Sequence, residues 1–286
     1  MLNQKSNIYI ILFAFLLNTS FIYGQDSESN YVVTFTKSSL KPMSEVEDGS
    51  ASERKELFEE YARKMNPLTP ELKMSMILGH YWTGVSTDVL AINAYESIAA
   101  ADKVGEDEGK TRERAWRRDD VREEFFKNYS KYWVAGHTDL EMFRLIADRT
   151  KIRKRKPKEN TVITITTHYL APLSEVDGGS AEERSELFDK YFEEVEMKND
   201  KLLSQIVLGH YWSGKLGYGK GWPIVYVREW ASMADADDNE SWGAVQETAW
   251  PEEAEREAKL KRYFEYWSGN LHEDMGIYYN WVNLQK

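Results

Sequence analysis

A chain of 286 residues is long enough for two domains that each bury their own core. A net charge of −11 and an isoelectric point near 5.1 argue against nucleic acid as a partner, because no excess of basic residues is available to track a phosphate backbone. The absence of cysteine removes disulfides, Cys-ligated zinc, iron–sulfur clusters and thiol nucleophiles, and ten tryptophans are not the composition of a disordered chain.

The first 24 residues read as a secretory signal peptide. Lys5 supplies a positive start, residues 8–17 (IYIILFAFLL) are an apolar run too short to span a bilayer, and cleavage is expected after Gly24. No other segment has the length and apolarity to cross a membrane. The mature chain is expected to be soluble and exported, periplasmic or extracellular.

Residues 25–150 and 161–286 are two copies of one unit. From Thr34 and Thr164 they run in register at an offset of 130: TFTKSSLKPMSEVEDGSASERKELFEEY against TITTHYLAPLSEVDGGSAEERSELFDKY. LGHYW occurs at Leu78-Gly79-His80-Tyr81-Trp82 and at Leu208-Gly209-His210-Tyr211-Trp212. Further on Trp116 matches Trp250, Trp133 matches Trp267, and the pair His137/Asp139 matches His272/Asp274. A period this long marks a duplicated domain and not a solenoid. Between the copies, residues 151–160 (KIRKRKPKEN) read as a solvated basic linker, with a patch for anionic glycans or lipid headgroups as the other reading.

In each copy the first β-branched, alternating stretch, residues 31–36 and 161–166, predicts a strand. Ser50-x-x-Glu53 and Ser180-x-x-Glu183 are capping boxes that open helices with Leu57, Phe58, Tyr61 and Met65, or Leu187, Phe188 and Tyr191, on one face. Residues 74–82 and 89–95 predict a hairpin of two strands, and a second helical region leads to Tyr132-Trp133 and Tyr266-Trp267. In the second copy this region opens at Trp250-Pro251-Glu252-Glu253, as a helix start should. Short closing strands follow at 137–145 and 272–279. The order is β-α-β-β-α-β, the ferredoxin-like unit, whose bare sheet face needs a partner. The fold class is therefore α+β: two tandem ferredoxin-like repeats packed sheet to sheet as an internal barrel, a monomer with a pseudo-two-fold axis.

The GHYWTG hairpin, the DVLAINAYES strand and the closing AWPEEAEREAKLKRYFEYWSGNLHED segment resemble the dimeric α+β barrel superfamily in a tandem-fused form, with exported bacterial members nearest. The resemblance implies that barrel and a range of activities: cofactor-free oxygenases, haem-degrading enzymes, haem-dependent peroxidases and members with no known activity. It constrains fold more than function.

Strand alternation separates two faces. Val33, Phe35, Ile163 and Ile165 share one, expected to pack under helices. Thr34, Thr36 and Ser38, with Thr164, Thr166 and His168, share the other, expected to line the barrel interior beside Tyr226 and Arg228. A polar lining needs partners, which motivates a ligand between the sheets. Arg228, His168, Thr164 and Thr166 would fix its polar groups, and Trp82, Trp212 and Tyr226 would pack its apolar part. His80 and His210 are candidate bases or ligands beside tryptophan, against a structural role in a hairpin strand. The pairs His137/Asp139 and His272/Asp274 offer either ligand contacts or a loop tie. No metal site is expected, and the cofactor is left open. Gly214 to Gly221 imitates a phosphate loop but ends in glycine where serine or threonine must hold magnesium, so it reads as a glycine-rich hairpin. The leading expectation is an exported binder of a small, partly apolar molecule. The alternatives are a cofactor-free oxygenase or haem-handling enzyme, and an interaction protein with no pocket.

Overall fold

A computed structural model describes residues 31–153, 155–211 and 221–286; the expected leader at 1–24, Trp212 and most of the glycine-rich hairpin lie outside them. The first repeat contains β1 (Val32–Ser39), α1 (Ala51–Met65), β2 (Leu72–His80), β3 (Asp88–Tyr95), α2 (Ile98–Ala115), α3 (Asp119–Ser130) and β4 (Thr138–Leu145). The second contains β5 (Thr161–Leu170), α4 (Ala181–Glu194), β6 (Leu202–His210), β7 (Trp222–Trp230), α5 (Met233–Ala236), α6 (Asn239–Ala249), α7 (Glu253–Glu265) and β8 (Trp267–Asn280). The duplicated β-α-β-β-α-β order holds, with the second helical region of each repeat divided into separate helices.

The same device starts the first long helix of each repeat. Ser50 and Ser180 cap α1 and α4 by accepting from the backbone N–H of Glu53 and Glu183, each at 3.1 Å. A fully buried tyrosine completes the cap. Tyr132 donates to Glu53 at 2.6 Å and accepts from the Ser50 N–H at 2.9 Å, and Tyr266 bonds Glu183 and Ser180 likewise. A cation closes each group: Lys131 on Glu53, Arg262 on Glu183. The Arg262 guanidinium and the Tyr266 hydroxyl hold the Glu183 carboxyl down to about 2.

Each repeat forms an antiparallel sheet, β4-β1-β3-β2 and β6-β7-β5-β8, and the two join edge to edge into one closed eight-stranded barrel. The seams are equivalent. At one, Leu78, Gly79 and His80 pair with Asn280, Tyr279 and Tyr278; at the other, Leu208, Gly209 and His210 pair with Leu145, Arg144 and Phe143. LGH is therefore the stretch by which each repeat joins the closing strand of the other.

The two faces of the strands are reversed relative to the sequence expectation. Val33, Phe35, Ile163 and Ile165 point into the barrel with Leu78, Ile92, Phe143, Leu208 and Val227, a single apolar core drawn from both repeats. The threonine face lies outward under the helices. Alternation fixes which residues share a face but not which face is enclosed. The lumen takes the more apolar set because an unpaired polar group there would be costly, and the inward polar groups, Glu229, Thr161 and Ser204, bond one another. The apolar set occupies most of the space between the two sheets, and a cavity of about 290 Å³ remains at one mouth of the barrel, lined by Met74, Met76, Ser204 and Ile206.

The basic linker is solvated only in part. Lys151 forms a backbone bridge with Gln205, and its ammonium donates to the carbonyls of Glu196 and Asn199 at 3.2 and 2.8 Å. Arg153 pairs with Glu229, which is 1% exposed and also accepts from Thr161, Ser204 and Asn280.

The seams predict an unequal pair of substitutions. A Cβ on Gly79 would lie 2.4 Å from the Trp281 ring, whereas one on Gly209 would meet Ile146 at an ordinary 3.6 Å. Gly79→Ala is expected to cost about 1–3 kcal/mol by overpacking. Gly209→Ala should be neutral or slightly stabilising, since it removes backbone freedom from the unfolded chain. Denaturant midpoints of the two variants check this, and equal losses would contradict the packing account.

Candidate functional site

With the lumen lined mainly by packed apolar side chains, the larger clefts lie between the outer sheet face and the helices, once in each repeat. The first-repeat cleft has a volume of about 490 Å³. Its walls are two ring stacks: Phe58 on Trp133 at 4.9 Å and 10°, and Tyr61 on Tyr129 at 4.9 Å and 18°. Its floor is the outward face of β1, β2 and β3, with Ser38, Ser75, Asn93 and Tyr95; α2 covers it with Val104, Glu108 and Thr111, and His137 lies at one end. Two polar atoms of this lining are buried short of full hydrogen-bond geometry: the Asn93 carbonyl oxygen has no partner, and the Trp133 indole N–H meets only the Tyr129 hydroxyl. Buried polar groups are nearly always paired, which sets this lining apart from the rest of the interior. Glu108 accepts from Arg112 at 2.6 Å and lies 3.5 Å from the Tyr61 hydroxyl. Burial, then the Glu108 charge, raises the Tyr61 hydroxyl to about 12.

The second-repeat cleft is smaller, about 350 Å³. The equivalent stacks recur, Phe188 on Trp267 and Tyr191 on Tyr263. Its floor differs. Register places Arg228 opposite Thr164 and Gln205 as Asn93 stands opposite Thr34 and Ser75. Arg228 donates to Gln205 at 2.7 Å and to Glu196 at 2.8 Å, and Gln205 donates to Glu196 at 2.7 Å, a closed network with both acceptors buried. The guanidinium lies over the rings of Tyr226 and Trp242. Counted back from the matched tryptophans Trp250 and Trp116, Trp242 stands where the first repeat has Glu108. An arginine and an indole thus take up volume that is open in the first repeat.

The structure brings together some of the residues singled out in the sequence and separates others. His168, Tyr226, Arg228 and His272 line the second cleft, with the His168 ring edge-on to Tyr226 and stacked at 5.7 Å on His272. Thr164 and Thr166 lie on the outer face, accepting from Trp230 at 3.0 Å and meeting the His168 ring nitrogen at 3.3 Å. His137 reaches the first cleft, but it and Asp139 are exposed and 3.6 Å apart; His272 and Asp274 repeat that spacing, and Asp139 accepts from Thr36. His80 and His210 sit at the ends of the seam strands, by alternation on the same side as Leu78 and Leu208, and neither lines a cleft. Trp82 is 74% exposed, and in the second copy His210 lies edge-on to Trp222. Among the described residues no group of three or more His, Asp or Glu is placed to hold a metal ion. Glu108, Trp133, Glu196 and Gln205 were not anticipated as site residues. Gln205 had a signal, a polar residue inside the apolar run of β6.

No protein-family model matches this sequence, and no curated protein is significantly similar to it. Several solved structures are similar over most of both chains. A proposed monooxygenase from Lactobacillus acidophilus NCFM is 9% identical, with 88% of this chain and 93% of that chain covered and a TM-score of 0.43. An anthrone oxidase-like protein is 12% identical, covering 90% and 93% with a TM-score of 0.39. A variant chlorite dismutase from Candidatus Nitrospira defluvii is 6% identical, covering 92% and 94% with a TM-score of 0.43.

The second cleft makes stability depend on pH. Burial, then the neighbouring charges of Arg228 and His272, push the His168 imidazole from its usual value near 6.5 down to about 4. The unfolded chain therefore binds this proton first. The contribution is intact above pH ~6.5 and is lost as pH falls toward ~4. The His168 resonances should titrate near 4 by NMR, and His168→Asn should flatten the loss of unfolding free energy between pH ~6.5 and ~4. A midpoint above 6 would show that the ring is solvated.

Proposed function

We propose that the protein binds a small, flat, partly apolar organic molecule in the first-repeat cleft, outside the barrel and not between its sheets. The observation that carries this is the pair of incompletely bonded polar atoms, Asn93 Oδ1 and Trp133 Nε1, within an aromatic-walled space of about 490 Å³. A donor on the bound molecule would satisfy the amide oxygen, and an acceptor elsewhere on it would take the indole N–H. Pockets of this size, mostly apolar with a few placed polar groups, are the usual form of a small-molecule site.

A second reading is that the bound molecule is turned over as in the cofactor-free oxygenases. Glu108 favours it, being a carboxylate in the aromatic lining, where it can take a proton from an activated ring carbon. The balanced reaction converts a ring CH2 and dioxygen to a ring C=O and water, with the substrate as the reductant. An exported location remains part of the proposal, resting on the apolar run at 8–17.

The test is titration of the purified protein with 2-naphthol, followed by tryptophan fluorescence. Asn93→Ala removes an acceptor that has no partner in the free protein together with the amide's bond to the Tyr95 side chain, so the thermal midpoint should fall only slightly while affinity falls about tenfold, the worth of one hydrogen bond. Unchanged affinity in that variant sinks the binding reading. For turnover, oxygen uptake with anthrone should disappear in Glu108→Gln while binding persists; uptake unaffected by that change rejects the oxygenase reading.

A further inference from the structure

We infer that the ligand of the first-repeat cleft carries one anionic group, a carboxylate or its like, seated just outside the cleft beside Arg114. The inference rests on the binding reading above and adds the chemical class of the molecule.

Helix α2 presents two adjacent stripes. Val104, Glu108 and Thr111 face the cleft, and Lys103, Asp107, Lys110 and Arg114, at spacings of four, three and four, line a neighbouring cavity of about 430 Å³. Leu68, Thr69, Pro70 and Glu71 form its opposite wall. The two cavities share Thr69, Val104 and Thr111 as lining, so the outer one lies directly against the inner.

The charges of the outer cavity do not cancel. Lys103 pairs with Glu71, and Lys110 pairs with Asp107 at 2.8 Å. Arg114 has no ion-pair partner among the described residues, leaving three cations against two carboxylates in a protein of net charge −11. A single surplus guanidinium beside an aromatic cleft suits a molecule with a ring body and one acidic end.

The second repeat, whose cleft is smaller and has its floor satisfied, lacks this arrangement. Counted back from Trp250, the same four positions are Asp237, Ser241, Ala244 and Thr248. Duplication supplied both helices, so the basic stripe belongs to the repeat with the unsatisfied cleft and not to the fold in general.

The test compares 2-naphthoate with 2-naphthamide, which share shape and differ in charge. The native protein should bind the acid about three- to tenfold more tightly at low salt, the difference shrinking as salt rises. In Arg114→Gln the acid should weaken to the level of the amide, whose affinity stays unchanged; Arg114 is exposed, so the thermal midpoint is expected to hold. Equal binding of the two compounds by the native protein overturns the inference while leaving the cleft reading intact, and so does a preference for the acid that survives Arg114→Gln. Binding of neither compound overturns the cleft reading and this inference with it.

Discussion

A four-stranded antiparallel sheet ends in two edge strands, each a row of backbone groups with no partner. In this protein the edges of each repeat are satisfied by the other: β2 by β8 and β4 by β6. The seams are short, three residue pairs each, and both are built from the same LGH sequence meeting the other repeat's closing strand. Closure within one chain removes the free edges. It also leaves one continuous core, in which Val33 and Phe35 of one half pack in the same body as Ile163 and Ile165 of the other.

The closed lumen limits where chemistry can occur. Its inward side chains are mainly apolar, with one buried polar group at an end, Glu229 held by Thr161, Ser204 and Asn280, and most other polar residues of the strands turn toward the helices. There the covering layer is incomplete, because three or four helices do not pack the whole outer surface of four strands without gaps. The gaps are the clefts. Their aromatic walls are held by the same tyrosine that caps the first long helix: Tyr132 and Tyr266 fix the chain immediately before Trp133 and Trp267, whose rings then stack on Phe58 and Phe188. The cap and the cleft wall are parts of one construction, and it is present twice.

The duplication, the element order and the barrel could all be read from sequence, because register at an offset of 130 and strand alternation are local signals. The histidines of LGHYW illustrate the limit. Their repetition reflects the seam, a role that depends on pairing with residues nearly two hundred positions away in the first copy. The inside and outside faces were exchanged for a related reason. Both faces of β1 and β5 are β-branched, and the choice between them is settled by closure, a property of all eight strands together. Asn93 and Arg228 were visible as counterparts on a polar face. That one would be left unsatisfied and the other tied to Glu196 and Gln205 depends on residues following the first long helix and on β6, which no short-range pattern links to them.

The divergence of the two clefts follows a physical logic. A polar atom buried without a partner costs stability, while a closed network such as Glu196–Arg228–Gln205 costs little once every hydrogen bond is made. In a single-repeat protein that assembled as a symmetric dimer, any such cost would be incurred in both halves. Fusion of the copies breaks that requirement. The second repeat satisfies its floor and narrows its cleft with Trp242. The first repeat keeps Asn93 and Trp133 incompletely bonded, and its α2 helix alone carries the basic stripe. On the binding reading proposed above, those open groups are what a ligand would complete, and the two repeats share one core across the seams that join them.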